Sequence, residues 1–219
     1  MARMPRLVVP NYPHHVTQRG VRSMQTFFTD DDYRYYLNLV RCYKDDAGVS
    51  IWAYCLMPNH VHFVAVPEEE DSLARLFRRV HLAYTRAINT REQWQGHLWQ
   101  ERFHSFVMDE EYLLATVRYV ELNPVKAKLC TSVEMWPWSS ANAHIQACDD
   151  HVVTVGPMLE RVKHWQQYLA QENAKISASI KQFTTTGRPA GEKSFVSTLE
   201  VLTGRELQKK SPGPKPRVK

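Results

Sequence analysis

The chain has 219 residues with a formal net charge of +5, and 43% of the residues are hydrophobic. This length supports one core of roughly 130–150 residues with an appendage. No apolar run approaches the roughly 20 residues of a membrane helix, and residues 1–13 contain no apolar block of signal-peptide length. We therefore expect no membrane partner. Because the four cysteines form no Cys-x-x-Cys pair, we expect reduced thiols and a cytoplasmic location.

The positive charge is concentrated in the last fifth of the chain. Residues 181–219 contain nine Lys or Arg and three Glu, a net charge of +6. Residues 1–180 carry 19 basic and 20 acidic residues, a net charge of −1. Such asymmetry favours a polyanionic partner, most often a nucleic acid. The alternative is a solvated basic tail without a specific partner.

Seven elements are predicted in the order strand, helix, strand, strand, helix, strand, helix. The helices carry apolar residues three and four positions apart, and Pro124 ends or kinks the last of them. This order is typical of an α+β fold of the ferredoxin-like type, an antiparallel sheet with helices on one face. The predicted bounds are strand 14–21, helix 29–48, strands 49–56 and 60–66, helix 71–91, strand 96–108 and helix 110–123.

The rest of the chain is predicted to be mainly helical. A helical stretch covers 157–183, a linker covers 184–191, and a short helix covers 194–203, with Gly204 as its C-cap. The tail Lys209–Lys219 is basic and rich in proline, so we expect it to be disordered unless bound. These patterns predict one domain over residues 1–145 and a helical C-terminal extension with a basic tail over 146–219. The extension is either a DNA-binding addition or a packed tail.

Two histidines, His60 and His62, lie in a β-rich run that ends at Pro67. Alternate residues of a strand share one face, so both imidazoles should point the same way and Val61 should point into a core. Two imidazoles side by side on a rigid strand are half of a metal site. The alternative is a pair of strand histidines that are bonded to their neighbours.

The third helix carries polar residues along one stripe. Tyr112, Thr116, Tyr119 and Asn123 are spaced four, three and four positions apart. If this stripe lies above the histidine pair, the site combines two imidazoles, an amide oxygen and a phenol. Imidazoles and an amide can hold a divalent cation, which would polarise a phosphate oxygen. The phenol could attack phosphorus and form a covalent phosphotyrosine, so these residue types suit phosphodiester chemistry.

Several segments resemble the REP-associated tyrosine transposases, a branch of the single-tyrosine HUH transposase family. The run LMPNHVHFV around His60 and His62 is similar to the HUH motif, and RYVELNPVKA at 118–127 is similar to the tyrosine-helix motif. The similar segments cover most of the chain in the expected order. The others are HVTQRG at 15–20, HLWQERFHS at 97–105, WPWSS at 136–140 and GRPAGEKSF at 187–195.

The resemblance implies a role for each matching residue. His60 and His62 would be ligands of Mg²⁺ or Mn²⁺, Asn123 the third ligand, and Tyr119 the nucleophile. The implied substrate is single-stranded DNA beside a short hairpin, as in repetitive extragenic palindromes (REP). Cleavage would leave a 5′-phosphotyrosine and a free 3′-OH, and a second 3′-OH would rejoin the strands. The implied protein is a metal-dependent endonuclease and strand transferase, either a monomer or a homodimer.

DNA binding is expected to be driven by charge and to weaken with salt. Arginines are expected to contact DNA from the matched segments, from the second helix and from a Gly-Arg-Pro tripeptide similar to a minor-groove hook. They are Arg19, Arg102, Arg118, Arg75, Arg79 and Arg188.

Two alternatives remain open at the level of the sequence. The first is a non-catalytic protein that binds hairpin or single-stranded nucleic acid on the same sheet, without forming a covalent adduct. The second is a structural zinc protein, which is disfavoured because no cysteine lies near the histidine pair with finger-like spacing. Imidazole ligands alone do not exclude Zn²⁺, so the choice of metal rests on the resemblance.

Overall fold

A four-stranded antiparallel sheet forms the centre of the computed structural model, which describes residues 6–171 and 174–208. The strands lie in the spatial order β2-β3-β1-β4. One helix connects β1 to β2 and another connects β3 to β4, which is the ferredoxin-like connectivity. The predicted α+β class is therefore confirmed. These elements are β1 (His14–Arg19), α1 (Asp30–Lys44), β2 (Val49–Met57), β3 (His60–Pro67), α2 (Ser72–Glu92) and β4 (His104–Val107).

Helices α1 and α2 cover one face of the sheet. Val61 and Phe63 of β3 are fully buried on this face, as the alternation of the strand predicts. They belong to the same apolar cluster as Tyr36 of α1 and Phe77 of α2. This cluster is the larger of the two cores of the sheet. It packs against the face of β3 that is opposite His60 and His62.

A third helix, α3 (Glu110–Glu121), lies against the opposite face. Its residues Leu113 and Val117 are fully buried and cluster with Val64 of β3 and Phe106 of β4. Helices therefore cover both faces, and the expected one-sided arrangement describes only α1 and α2. The reason is that both faces of the sheet are apolar: alternate residues of β2 and β3 point into each core.

The C-terminal extension packs in the core on the α3 side of the sheet. Trp165, Leu169 and Ile180 are buried there beside Val117 of α3. The boundary at residue 145 stays a prediction, and the tail Lys209–Lys219 lies outside the described residues. The helices after α3 are α4 (Asn123–Lys126), α5 (Ala141–Gln146), α6 (Gly156–Arg161), α7 (Trp165–Ala170), α8 (Ala174–Thr186) and α9 (Lys193–Thr203).

Two predicted elements have the wrong extent. The predicted strand 96–108 is regular only over His104–Val107. Leu98 and Trp99, which are consecutive, are both buried, and Glu101 has a φ of 119°, so this segment cannot continue a pleated strand. The predicted helix 157–183 is divided into α6, α7 and α8: the backbone is extended at Val162, after α6, and is again not helical at Gln171, after α7. None of the helices in the described ranges has both the length and the apolar character to span a bilayer.

Candidate active site

The two strand histidines face α3, on the side of the sheet opposite Val61. Their ring centroids are 4.9 Å apart, which confirms that alternation brings the two rings together. On the neighbouring strand β1, Arg19 lies directly opposite His60 and Thr17 lies directly opposite His62. The register between β1 and β3 therefore places a cation and a hydroxyl beside the imidazole pair.

Helix α3 brings Tyr119 and Asn123 to the same place. The Asn123 Nδ2 atom is 3.1 Å from His62 Nε2, and the ring of Tyr119 lies edge-on to that of His62 with centroids 5.8 Å apart. The two residues converge because positions four apart share one face of a helix. Asn123 is the first residue of α4, after α3 has ended at Glu121. The structure thus brings together all four residues that were predicted as nucleophile or metal ligands.

A fifth residue, His15 of β1, belongs to this cluster and was not predicted as a functional residue. Its Nε2 atom lies 2.9 Å from His62 Nδ1, and the two rings are nearly parallel with centroids 5.1 Å apart. The ring of His15 is fully buried. The available signal was the alternation of His15, Thr17 and Arg19 in the HVTQRG segment, which places all three on one face of β1.

Burial keeps the histidines of the site neutral. Burial lowers the pKa of His60 to about 4, with a smaller contribution from the charge of Arg19. The pKa of His15 falls to about 3, chiefly through burial, and that of His62 falls well below 6.5 for the same reason. The rings therefore carry a lone pair at neutral pH, which is the form that binds a metal ion.

Tyr119 is half-buried and protonated at neutral pH. Burial raises the pKa of its phenol, while a hydrogen bond with Asn123 and the charge of Arg19 partly oppose the rise. The ammonium group of Lys126 lies 5.7 Å from the centroid of the Tyr119 ring. Arg19 therefore favours the ionised form of a phenol that must become anionic before it can serve as a strong nucleophile.

His60, His62 and Tyr119 open into a cavity of about 480 Å³. Residues of the sheet, of the loop before β4 and of the extension line the cavity. Its wall is therefore formed by residues that are far apart in sequence. Its basic residues include Arg19, Arg102 and Lys181. The lining consists of Thr17, Gln18, Arg19, His60, His62, Gln100, Glu101, Arg102, His104, Tyr119, Lys181, Thr184 and Thr185.

Among the described residues, no group of three or more His, Cys, Asp or Glu is arranged to hold a metal. The predicted ligands, two imidazoles and an amide, are of the types that can hold a divalent cation and leave coordination positions open. His60 Nδ1 lies 2.6 Å from Asn59 Oδ1, while Asn59 Nδ2 donates to the Ser23 carbonyl. This orientation of Asn59 requires a proton on His60 Nδ1 and leaves Nε2 available as a ligand.

A buried carboxylate that the sequence did not single out holds the end of α3. Glu121 is fully buried, and its Oε1 atom accepts hydrogen bonds from Ser140 Oγ at 2.6 Å and from His144 Nδ1 at 2.7 Å. Its Oε2 atom accepts from Trp165 Nε1 at 2.8 Å. Glu121 lies between Tyr119 and Asn123 in the chain, so these bonds fix the part of the helix that carries both.

The six predicted DNA-binding arginines are spread over the molecule. Arg19 and Arg102 line the cavity. Arg75 and Arg79 project from α2, behind the sheet, where they pair with Glu69 and Asp71 and with Asp46 respectively. Arg118 donates to the Tyr168 carbonyl and stacks on its ring, and Arg188 donates to the Leu207 carbonyl. The structure therefore brings two of the six to the histidine cluster.

Comparison with solved structures finds a similar fold in a REP-associated tyrosine transposase bound to a REP hairpin. The TM-score is 0.58 at 21% sequence identity, over 70% of this chain and 92% of that chain. A putative transposase from Deinococcus radiodurans R1 matches with a TM-score of 0.39 at 18% identity, over 55% of this chain and 96% of that chain. The first match establishes a shared fold, and the second is too weak to support an argument. A search of curated proteins finds no match.

A family model described as "Transposase IS200 like" matches residues 10–123. The matched region runs from the start of the sheet to the first residue of α4 and includes His60, His62, Tyr119 and Asn123. Because this region is just over half of the 219 residues, the chain belongs to the IS200-like transposase family.

Proposed function

We propose that the protein is a metal-dependent single-stranded DNA endonuclease and strand transferase that acts beside REP-type hairpins. The observation that carries this proposal is the convergence of Tyr119 and Asn123 with His60 and His62, beside a cavity that Tyr119 and both histidines line together with Arg19, Arg102 and Lys181. A phenol beside an imidazole pair has the composition needed for nucleophilic attack on a phosphodiester. Family membership supports the same reaction class.

In the proposed reaction, Tyr119 Oη forms a bond to phosphorus while the bond from phosphorus to the 3′ oxygen of the preceding nucleotide breaks. The phenol loses its proton and the leaving 3′ oxygen gains one, so the products are a 5′-phosphotyrosine and a free 3′-OH. A second 3′-OH can attack the phosphotyrosine and release Tyr119. The covalent link conserves the energy of the phosphodiester, so no nucleotide cofactor is needed.

The metal ion would be Mg²⁺ or Mn²⁺, held by His60, His62 and Asn123. When bound, it would supply a positive charge that polarises a non-bridging phosphate oxygen. Arg19 acts from the protein side: it lies opposite His60 and its charge favours the ionised form of Tyr119. Arg19 therefore stabilises the nucleophile as it loses its proton.

The cavity suits a flexible, negatively charged strand. Arg19, Arg102 and Lys181 line it from β1, from the loop before β4 and from α8 respectively. We propose that these three side chains contact phosphates on either side of the bond that is cleaved. Binding should therefore weaken as salt rises, because each phosphate contact releases a counterion.

A labelled single-stranded DNA that contains a hairpin tests the proposal when it is incubated with the protein and Mg²⁺ or Mn²⁺. We expect a covalent complex that survives denaturation, a free 3′-OH product, and complete loss of the complex in Tyr119→Phe with hairpin binding retained. Tyr112→Phe, on the same helix, is the matched control and should keep the complex. A complex in Tyr119→Phe would reject the nucleophile, and binding without any complex under either metal would favour the non-catalytic alternative.

A further inference from the structure

We propose that a hydrogen-bonded chain from α8 of the extension through His15 fixes the tautomer of His62, so that His62 Nε2 presents its lone pair to the site. The chain consists of Ile180, Thr184, His15, His62 and Asn123. His15 and Thr184 are positioning residues, since they act through His62. The inference rests on the proposed function only in treating His62 as a metal ligand.

Thr184, in the extension, determines which atom donates in each bond of this hydrogen-bonded chain. Thr184 Oγ1 donates its single proton to the Ile180 carbonyl at 2.9 Å, so it can only accept from His15 Nδ1, which lies 3.5 Å away. His15 is therefore protonated at Nδ1, and its Nε2 atom must accept. Its partner at 2.9 Å, His62 Nδ1, must then carry the proton of that bond. This leaves His62 Nε2 with its lone pair.

At the other end of the hydrogen-bonded chain, the amide of Asn123 is oriented to match this tautomer. Asn123 Nδ2 lies 3.1 Å from His62 Nε2, and an amide nitrogen can only donate. In this orientation His62 Nε2 accepts, which matches a proton on Nδ1. If the proton moved to Nε2, the amide of Asn123 would rotate and accept through its oxygen, so Thr184 of α8 determines the tautomer and Asn123 of α4 follows it.

The position of the proton on His62 matters because a neutral imidazole has one donor and one acceptor nitrogen. A His62 ring protonated at Nε2 would turn a proton, rather than a lone pair, toward Asn123 and the cavity. Such a ring would have to shift its proton before it could bind a metal ion. The burial of His15, which is fully buried, and of His62, which is 5% exposed, keeps water from competing for either nitrogen. The extension is therefore part of the active site.

Long-range ¹H–¹⁵N correlation spectra of the metal-free protein measure the tautomers directly. We expect His15 and His62 to be protonated at Nδ1 in the wild type. A second form of His62, protonated at Nε2, should appear in Thr184→Val, and Thr184→Ser should restore the single form. Thr185→Val is the matched control, since Thr185 also lines the cavity from α8 but bonds to the Lys181 carbonyl.

Binding of Mn²⁺ alone, followed by electron paramagnetic resonance of the free ion, gives a second measurement. Loss of an outer hydrogen-bond partner typically weakens metal binding about 10–100-fold. The loss of Mn²⁺ affinity should lie in this range for His15→Phe and near its lower end for Thr184→Val. Thr185→Val should bind like the wild type. Wild-type His62 protonated at Nε2, or a Thr184→Val spectrum identical to the wild type, would overturn the inference.

The inference and the proposed function can fail separately. A protein with the stated tautomers and Mn²⁺ affinities that forms no covalent DNA complex would contradict only the function. A protein that forms the complex through Tyr119 while His62 is protonated at Nε2 would contradict only the role of His15 and Thr184.

Discussion

At the scale of single residues, spacing predicted which side chains would meet. His60 and His62 share a face because they alternate along a strand, and Tyr119 and Asn123 share a face because they are four apart on helical backbone. These are local rules that need no knowledge of the fold. His15 was missed because its contact with His62 depends on the register between two strands, which local spacing does not fix.

Arg19 should set the pH at which the nucleophile becomes active. Burial raises the pKa of Tyr119 and the charge of Arg19 partly opposes the rise, so Arg19→Met should raise this pKa further. The rate of covalent complex formation should then reach its plateau at a higher pH and be lower at pH 7.5. Single-turnover rates between pH 6 and 10 measure the shift. Arg19→Lys, which keeps the charge, should restore the wild-type profile, and an unchanged profile in Arg19→Met would refute this role.

At the scale of elements, the order of strands and helices around the sheet was predicted from the sequence, but the division of the extension into helices was not. Pro124 and the apolar spacing of α3 predicted where that helix would end. Residues 157–183 were predicted to form one helical stretch, yet they occupy three helices. Periodicity shows which side chains are buried, but it does not show a break such as the extended backbone at Val162.

The buried carboxylate of Glu121 should be essential for the position of α3. Glu121→Gln keeps the shape of the side chain but turns an NH₂ group toward one of the donors Ser140, His144 or Trp165. An unsatisfied buried donor costs about 1–3 kcal/mol, so the free energy of unfolding should fall by this amount in urea denaturation. Glu134→Gln is the control: this exposed carboxylate bonds to Gln166 and should change stability by less than about 0.5 kcal/mol. Equal stability of the two variants would contradict this account.

At the scale of the whole molecule, two cores enclose the sheet and place imidazoles where water is excluded. The core under α1 and α2 lies on the face of the sheet away from the histidine cluster, while the core under α3 and the extension lies on the same face as the histidine cluster and its cavity. The sequence predicted the first core well, because its residues follow the periodicity of α1, α2 and β3. The second core draws on residues from 53 to 190, so only the three-dimensional structure shows that the extension closes the site.

Buried neutral histidines should make the protein sensitive to acid. Burial lowers the pKa of His14 to about 4 and of His15 to about 3, and it lowers that of His62 well below 6.5. Below pH 6.5 the unfolded chain takes up protons that the folded chain does not, so the free energy of unfolding falls as the pH falls from 6.5 toward 4. Each such histidine contributes about 1.4 kcal/mol per pH unit.

Urea denaturation at pH 7.5, 6.5 and 5.5 measures this loss. His14→Gln removes one of these groups, and His14 lies outside the cavity, bonded to the Val9 amide and the Tyr12 carbonyl. The variant should therefore show a shallower dependence on pH, whatever its stability at pH 7.5. A stability that does not change between pH 6.5 and 5.5 in the wild type would contradict the prediction.

The most direct test of the central claim locates the DNA on the protein. Trypsin cleaves after Arg102, Arg118 and Lys126, which places Tyr119 in peptide 119–126 and Tyr112 in peptide 103–118. After incubation with single-stranded hairpin DNA and Mn²⁺, followed by nuclease and trypsin, mass spectrometry should find a 5′-phosphonucleotide on Tyr119 in peptide 119–126. A nucleotide on peptide 103–118, or none on any peptide, would contradict the claim that Tyr119 attacks the DNA.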